Sequence, residues 1–152
     1  MLVYRLVKAR HAAAALDGEG ARRAGGRWNP PGIPVAYCAS SLSLAVLELL
    51  VHVDPGDAPD DLVALRIELP EDVPAGRWTP AELPRDWMDD TGKAAVRSRG
   101  ARWLRAGVEA VLWVPSVIVP AEWIVLVNPR HPDADRIKVI AQEPFPLDSR
   151  LV

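Results

Sequence analysis

The chain has 152 residues, 49% of them hydrophobic and 25% charged, a composition typical of one globular domain rather than a disordered or fibrous chain. Its 18 Lys and Arg residues against 20 Asp and Glu leave a net charge of −2, which argues against a nucleic-acid-binding protein. The single cysteine excludes an internal disulfide, and no apolar run reaches the roughly 18 residues of a membrane span. We therefore expect a soluble cytoplasmic protein without a signal peptide or membrane anchor.

The first half of the chain predicts two strands and two helices around a stretch of turns. Hydroxyl groups of Ser40 and Ser41 are suited to cap the second helix, and Asp54-Pro55-Gly56 ends it. The predicted elements are a strand over residues 3–7, a short helix over 12–16, irregular turns over 20–32, a strand over 34–39, and a helix from Ser41 to about His52.

The second half is richer in strands. Residues 62–69 alternate between apolar and polar positions, the period of a half-buried strand. A loop over 70–84 and a helix over 91–104 with a basic outer side follow, and then come strands over 111–119, 123–127 and 137–141. This order predicts one α+β domain over residues 1–152, with split, mostly antiparallel sheets and flanking helices.

Glu48 lies in the middle of the most apolar helix, which is hydrophobic nearly all round, as a buried helix is. At 100° per residue, Ser41, Ala45, Glu48 and His52 share one narrow stripe, which predicts a cavity beside the helix. The alternative is that Glu48 faces solvent or pairs with an arginine, because buried unpaired carboxylates are costly.

Three further residues are candidate site residues. Arg27 follows two glycines, which allow a sharp turn and close approach of a ligand, and its guanidinium is suited to bind a phosphate; it is otherwise a surface arginine. Tyr37 could stack on a flat heterocycle or be a core tyrosine. Ser116 follows Pro115 in an apolar strand, where a lone serine is usually structural. No phosphate-binding glycine motif occurs, and the three histidines share no metal-ligand spacing, so no metal is expected.

The order of several short motifs resembles the RES-domain family. These motifs are Tyr4-Arg5, Gly25-Gly26-Arg27-Trp28-Asn29, Tyr37-Cys38-Ala39-Ser40, Leu44-Ala45-Val46-Leu47-Glu48, Trp113-Val114-Pro115-Ser116 and Asn128-Pro129. The family comprises toxins of bacterial toxin–antitoxin pairs and is named for an Arg, a Glu and a Ser. The chain departs from the family at Trp123-Ile124, where an Asn is frequent.

The resemblance implies an ADP-ribosyltransferase-like fold and an enzyme that consumes NAD. Arg27, Glu48 and Ser116 match the namesake residues and are the expected catalytic groups, while Arg5 and Tyr37 match further pocket positions. Glu48 is suited to stabilise an oxocarbenium-like sugar. Arg5 and Arg27 would bind the pyrophosphate, Tyr37 would stack on the nicotinamide, and Ser116 would hydrogen-bond the ligand. The acceptor of the ADP-ribosyl group, whether water, phosphate or a protein, is not indicated.

Two readings of function remain at this point. The first is a toxin that cleaves NAD or transfers ADP-ribose from it, as the presence of Arg27, Glu48 and Ser116 together favours. The second is a non-catalytic interaction module that retains the fold. A nuclease is disfavoured because the chain has no basic stripe and no histidine-rich acid/base set. The resemblance also implies a cognate antitoxin of the helix-turn-helix type as partner, and a homo-oligomer is left open.

Overall fold

The structure, a computed structural model, describes residues 1–152. The strands are β1 (Leu2–Lys8), β2 (Ala36–Ala39), β3 (Leu62–Glu68), β4 (Ala75–Arg77), β5 (Val111–Pro115), β6 (Trp123–Val127) and β7 (Lys138–Pro144). The α-helices are α1 (Glu19–Ala24), α2 (Leu42–Leu50) and α3 (Lys93–Ala106). Short 3-10 helices occupy Ala9–Ala14, Pro80–Glu82, Asp90–Gly92, Ala134–Arg136 and Ser149–Leu151. No helix has both the length and the apolar character needed to cross a membrane.

The seven strands lie in the order β4-β5-β6-β2-β1-β3-β7. All neighbours are antiparallel except β4 and β5, which run parallel. β1 and β2 are joined only at the pair formed by Tyr4 and Ala39, whereas β1 and β3 pair along their whole length. The sheet therefore consists of two halves that meet at one residue pair, which confirms the predicted split, mostly antiparallel α+β fold.

Two hydrophobic clusters pack on the two faces of this sheet. Successive residues of a strand point to opposite faces, and Leu112 and Leu126 accordingly belong to one cluster while Val111 and Val125 belong to the other. Helices α2 and α3 contribute only to the first cluster, through residues such as Leu44 and Val96. The helices therefore cover one face of the sheet, and the site described below lies on that side.

The structure corrects several predicted boundaries. The predicted helix over 12–16 is the 3-10 helix Ala9–Ala14, and the predicted second helix ends at Leu50 rather than near His52. Residues 20–32 are not all irregular, because α1 occupies Glu19–Ala24, where Ala and Arg are good helix formers. Strand β4 lies within the predicted loop over 70–84. It is a strand because it pairs with β5, which is distant in the chain, and such a pairing leaves no pattern in the local sequence. The predicted strand over 111–119 ends at Pro115, because Ser116 begins a turn.

The prediction that α2 is buried all round is wrong. Leu44 is fully buried, but Leu47 is 40% exposed and Val51, the residue after the helix, is 59% exposed. Helix α2 packs on β1 and β2. Helix α2 therefore carries more apolar residues than the protein buries.

Candidate functional site

A cavity of about 700 Å³ opens where the two halves of the sheet meet. That volume is in the range of pockets that hold small organic ligands. β1 contributes Tyr4, Arg5 and Leu6 to the wall, and β2 contributes Tyr37, Cys38 and Ala39. The rest of the lining comes from α1 and the loop after it, from α2, from α3, and from Val117 and Ile124. The split of the sheet is thus the feature that makes room for a site.

Helix α2 brings Glu48 into this cavity. Ser41 begins the helix as its N-cap, and its hydroxyl oxygen accepts a hydrogen bond of 3.1 Å from the backbone N–H of Leu44. Leu44 is fully buried in the core beside the sheet, while Ala45, Glu48 and His52, which follows the helix, line the cavity. The cavity predicted beside this stripe is present in the structure.

Ser116 lies behind Glu48 rather than in the cavity wall. The residue is fully buried, and its hydroxyl donates a hydrogen bond of 2.8 Å to Oε1 of Glu48. Oγ of Ser116 in turn accepts hydrogen bonds of 3.1 Å from the backbone N–H groups of Ile118 and Val119. Because both acceptor positions of the hydroxyl are occupied, its single hydrogen is directed at Glu48. In the structure Ser116 therefore contacts the Glu48 carboxylate and is not among the residues that line the cavity.

Arg27 lies on the loop between α1 and β2, at the edge of the cavity. Its guanidinium donates one hydrogen bond of 3.1 Å to the carbonyl oxygen of Trp87. The loop is held from α3, where Nε of Arg97 donates to the carbonyl oxygen of Gly26 at 2.6 Å. Gly100 allows this close approach of α3, because a Cβ atom there would lie 1.7 Å from the carbonyl oxygen of Trp28. Arg27 is thus fixed by contacts with distant parts of the chain.

Tyr37 ties the same loop to β2. Its hydroxyl donates to Oδ1 of Asn29 at 2.6 Å and accepts the backbone N–H of Trp28 at 3.0 Å. Gly26 leaves room for this hydroxyl, because a Cβ atom there would lie 2.5 Å from it. Burial raises the pKa of the phenol well above its ordinary value, against the opposing effects of the Trp28 N–H and the nearby Arg97. The hydroxyl therefore stays a hydrogen-bond donor, and the ring of Tyr37 lines the cavity.

Arg5 and Cys38 complete the wall that β1 and β2 provide. The Arg5 guanidinium also donates to the carbonyl oxygen of Ala15. Burial raises the pKa of the Cys38 thiol to about 11, although the charge of Arg5 acts to lower it. The thiol is therefore protonated at neutral pH and is not a nucleophile.

Two cations that line the cavity were not among the predicted site residues. Lys93 and Arg97 reach it from α3. The sequence indicated only a helix with a basic outer side, and nothing local distinguishes a cavity-lining cation from a solvated one. Ile124, at the position where the family frequently has an Asn, also lines the cavity and offers no polar group there.

The charges around the cavity are strongly asymmetric. Its charged lining residues are four cations and one carboxylate, namely Arg5, Arg27, Lys93, Arg97 and Glu48. Arginines are suited to bind phosphate groups through paired N–H donors. A single oriented carboxylate is suited to stabilise positive charge that develops on a reacting group. The arrangement fits an anionic ligand that becomes positively charged at a point near Glu48.

The chain is similar to known proteins along almost its whole length. The chain matches the RES domain over residues 2–148. It is 41% identical over 140 residues to the Prs ADP-ribosylating toxin of Sphingobium sp. (strain YBL2), covering 90% of this chain and 86% of that protein. It is 37% identical over 159 residues to Toxin Res of Photorhabdus laumondii subsp. laumondii, covering 100% of this chain and 97% of that protein.

A solved structure shares the fold. The crystal structure of the M. tuberculosis MbcT-MbcA toxin-antitoxin complex contains a chain that superimposes with a TM-score of 0.77 at 21% sequence identity. The match covers 99% of this chain and 85% of that one. With a family match over nearly its whole length and relatives at this level of identity, the chain belongs to the RES domain family.

Proposed function

We propose that this protein is a toxin that consumes NAD by ADP-ribosyl chemistry. The observation that carries the proposal is the Glu48 carboxylate, oriented by Ser116 and facing a cavity with four cations. The relative from Sphingobium, called an ADP-ribosylating toxin, supports the same chemistry. NAD is the substrate in this proposal.

Glu48 acts on the glycosidic bond of NAD. The bond that breaks joins C1′ of the ribose to the nicotinamide nitrogen, which keeps the electron pair and leaves as neutral nicotinamide. The sugar passes through an oxocarbenium-like state, whose positive charge the carboxylate stabilises. C1′ then bonds to an acceptor, which loses a proton. Ser116 serves as a positioning residue, since its hydroxyl holds one oxygen of Glu48 in place.

The cations bind the other part of the substrate. The pyrophosphate of NAD carries two negative charges. Arg5 and Arg27 line the cavity from separate parts of the chain, so the two guanidinium groups can bind the pyrophosphate from different sides. Tyr37 presents a ring to the cavity and holds the Arg27 loop through its hydroxyl, so it supports the site in two ways. We propose that its ring stacks on the nicotinamide.

The proposal is tested by incubating the purified protein with NAD and following nicotinamide release. Separate samples contain water alone as acceptor, added phosphate, or a lysate from the host cell. Free ADP-ribose indicates hydrolysis, a phosphorylated ribose product indicates phosphorolysis, and label retained on protein indicates transfer. Absence of nicotinamide release in all three samples would favour the alternative, a non-catalytic module that retains the RES fold.

The proposal includes a cognate antitoxin as partner. An enzyme that drains NAD poisons its own cell, and the structural neighbour was solved as a toxin-antitoxin complex. We propose an antitoxin of the helix-turn-helix type that blocks the cavity by presenting a carboxylate to Arg5 and Arg27, the residues that NAD itself requires.

A further inference from the structure

A second groove runs along α3 beside the cavity described above. It has a volume of about 670 Å³. Its basic lining residues are Lys93, Arg97, Arg102 and Arg105, and the one acidic residue in the lining is Asp90. The protein as a whole carries a net charge of −2, so this groove concentrates positive charge against the overall balance.

The cations of the groove are not neutralised by the chain itself. Helix α3 carries no carboxylate, and none of the four basic residues forms an ion pair with Asp90 or any other acidic residue. Arg102 and Arg105 are exposed, and neither donates a side-chain hydrogen bond within the chain. Four cations gathered in one groove without acidic partners lower the free energy of a negatively charged ligand placed there.

The shape of the groove favours an extended ligand over a single small anion. The basic residues are spread over the length of α3, from Lys93 to Arg105, a rise of roughly 18 Å. An extended peptide covers that distance with about six residues. The small side chains of Ala94, Ser98 and Ala101 line the groove between the cations and leave space for a backbone.

The residues that line the groove also favour one of two kinds of extended anionic ligand. Single-stranded nucleic acid is usually bound by a basic track together with aromatic side chains on which bases stack. The groove is lined by no aromatic residue, and the remaining lining residue is Pro30. An acidic polypeptide can bind through the cations alone, provided that there is space for its backbone, so the lining of the groove favours an acidic polypeptide over nucleic acid.

We propose that the α3 groove binds an acidic segment of a partner protein. Lys93 and Arg97 line both the groove and the main cavity, so a segment in the groove reaches the edge of the candidate active site. The inference goes beyond the proposed function and does not rest on it. A groove that binds the segment in a protein that releases no nicotinamide would refute the proposed function alone.

The test measures, by fluorescence anisotropy at low salt, how a fluorescein-labelled peptide binds to the full chain. The peptide consists of about six glutamates, which match the length of the groove. We expect saturable binding that weakens as salt is raised. The same peptide should bind about tenfold more weakly to Arg102→Glu/Arg105→Glu, because two attractive charges become repulsive. The matched control is Arg10→Glu/Lys138→Glu, which makes the same change of net charge at exposed positions outside the groove and should bind like wild type.

Three results would overturn the proposal. The first is no saturable binding to the wild-type chain. The second is equal weakening in the groove variant and in the control variant, which would indicate a response to net charge only. The third is tighter, groove-dependent binding of a labelled oligothymidine of the same charge, which would assign the groove to nucleic acid.

Discussion

Ser116 donates a hydrogen bond of 2.8 Å to Glu48 across 68 positions of sequence. The bond joins the turn after β5 to helix α2, from which Glu48 lines the cavity. Glu48 has no other side-chain hydrogen bond within the chain, so this contact sets the direction of the carboxylate. Two of the three predicted catalytic residues, Glu48 and Ser116, are thus in direct contact in this structure.

Replacing Ser116 by Ala should affect both stability and turnover. The backbone N–H groups of Ile118 and Val119 lose their acceptor, and Glu48 loses its donor, so we expect the free energy of unfolding to fall by about 1–3 kcal/mol. Nicotinamide release should be slower than in wild type but faster than with Glu48 removed. Ser43→Ala is the matched control, because Ser43 is an exposed serine on the same helix as Glu48. Wild-type turnover by a folded Ser116→Ala variant would show that the activity does not depend on the hydrogen bond from Ser116 to Glu48.

Arg27→Lys should weaken NAD binding although the positive charge is kept. An ammonium group cannot reproduce the planar two-point contact of a guanidinium with a phosphate. We expect a loss of about 1.5–3 kcal/mol in binding free energy, the range of one hydrogen bond to a charged group. Calorimetric titration with NAD measures it, and Arg23→Lys, at an exposed position outside the cavity lining, is the control. Equal affinity of wild type and Arg27→Lys would make Arg27 a structural residue or a simple point charge.

Tyr37→Phe should destabilise the loop that carries Arg27. The change removes the donor to Asn29 and the acceptor for the Trp28 N–H, and both groups are then left in the protein interior. We expect the free energy of unfolding to fall by about 1–3 kcal/mol, as measured by denaturant titration. Tyr4→Phe, at the other tyrosine of the cavity wall, should cost less. If the two variants are equally stable, the Tyr37 hydroxyl does not hold the loop.

Cys38 predicts a dependence of stability on alkaline pH. Its pKa is raised from 9.0 to about 11 in the folded protein. The folded state therefore holds the thiol proton more tightly than the unfolded chain, so the unfolded state is favoured as pH rises. The contribution is fully present below pH 9 and is lost as pH rises toward about 11. A shift of this size corresponds to about 2–3 kcal/mol.

Denaturant titrations of wild type and Cys38→Ala between these pH values measure the effect. The wild-type protein should lose more stability than the variant over the same range, because the contribution of Tyr37, whose pKa is also raised by burial, is common to both. Parallel pH profiles for the two proteins would contradict the assigned burial of the thiol.

Local sequence patterns predicted the frame of the site but not the contacts that complete it. The alternation over β3 placed Val63, Leu65 and Ile67 on a buried face, and the Ser41 cap with the polar stripe of α2 predicted that Glu48 faces a cavity. These features depend on period and on capping, which are properties of neighbouring residues.

Contacts between distant segments left no such pattern. Arg97 reaches the Arg27 loop across 71 positions, and its spacing on α3 is that of any solvated cation. Ser116 was expected to hydrogen-bond the ligand, and only the folded chain reveals that its hydroxyl faces Glu48. The same holds for β4, whose strand character comes from pairing with β5.

Expression of this chain alone should arrest bacterial growth and lower cellular NAD. Co-expression of the product of the adjacent gene, the expected antitoxin, should restore both. The measurement is growth and total NAD after induction, at verified levels of the folded protein, with Glu48→Gln as the inactive control. Normal growth and normal NAD with the wild-type chain would favour the non-catalytic reading.

The proposed role of Glu48 is tested most directly by the rate of nicotinamide release from NAD by purified wild type and Glu48→Gln, with melting curves recorded on the same samples. Glutamine keeps the shape of the side chain and still accepts the Ser116 hydroxyl, but it carries no charge to stabilise the oxocarbenium-like sugar. We expect unchanged melting and a rate lower by a factor of about 10²–10³. Near-wild-type release by a variant with an unchanged melting curve would contradict this role.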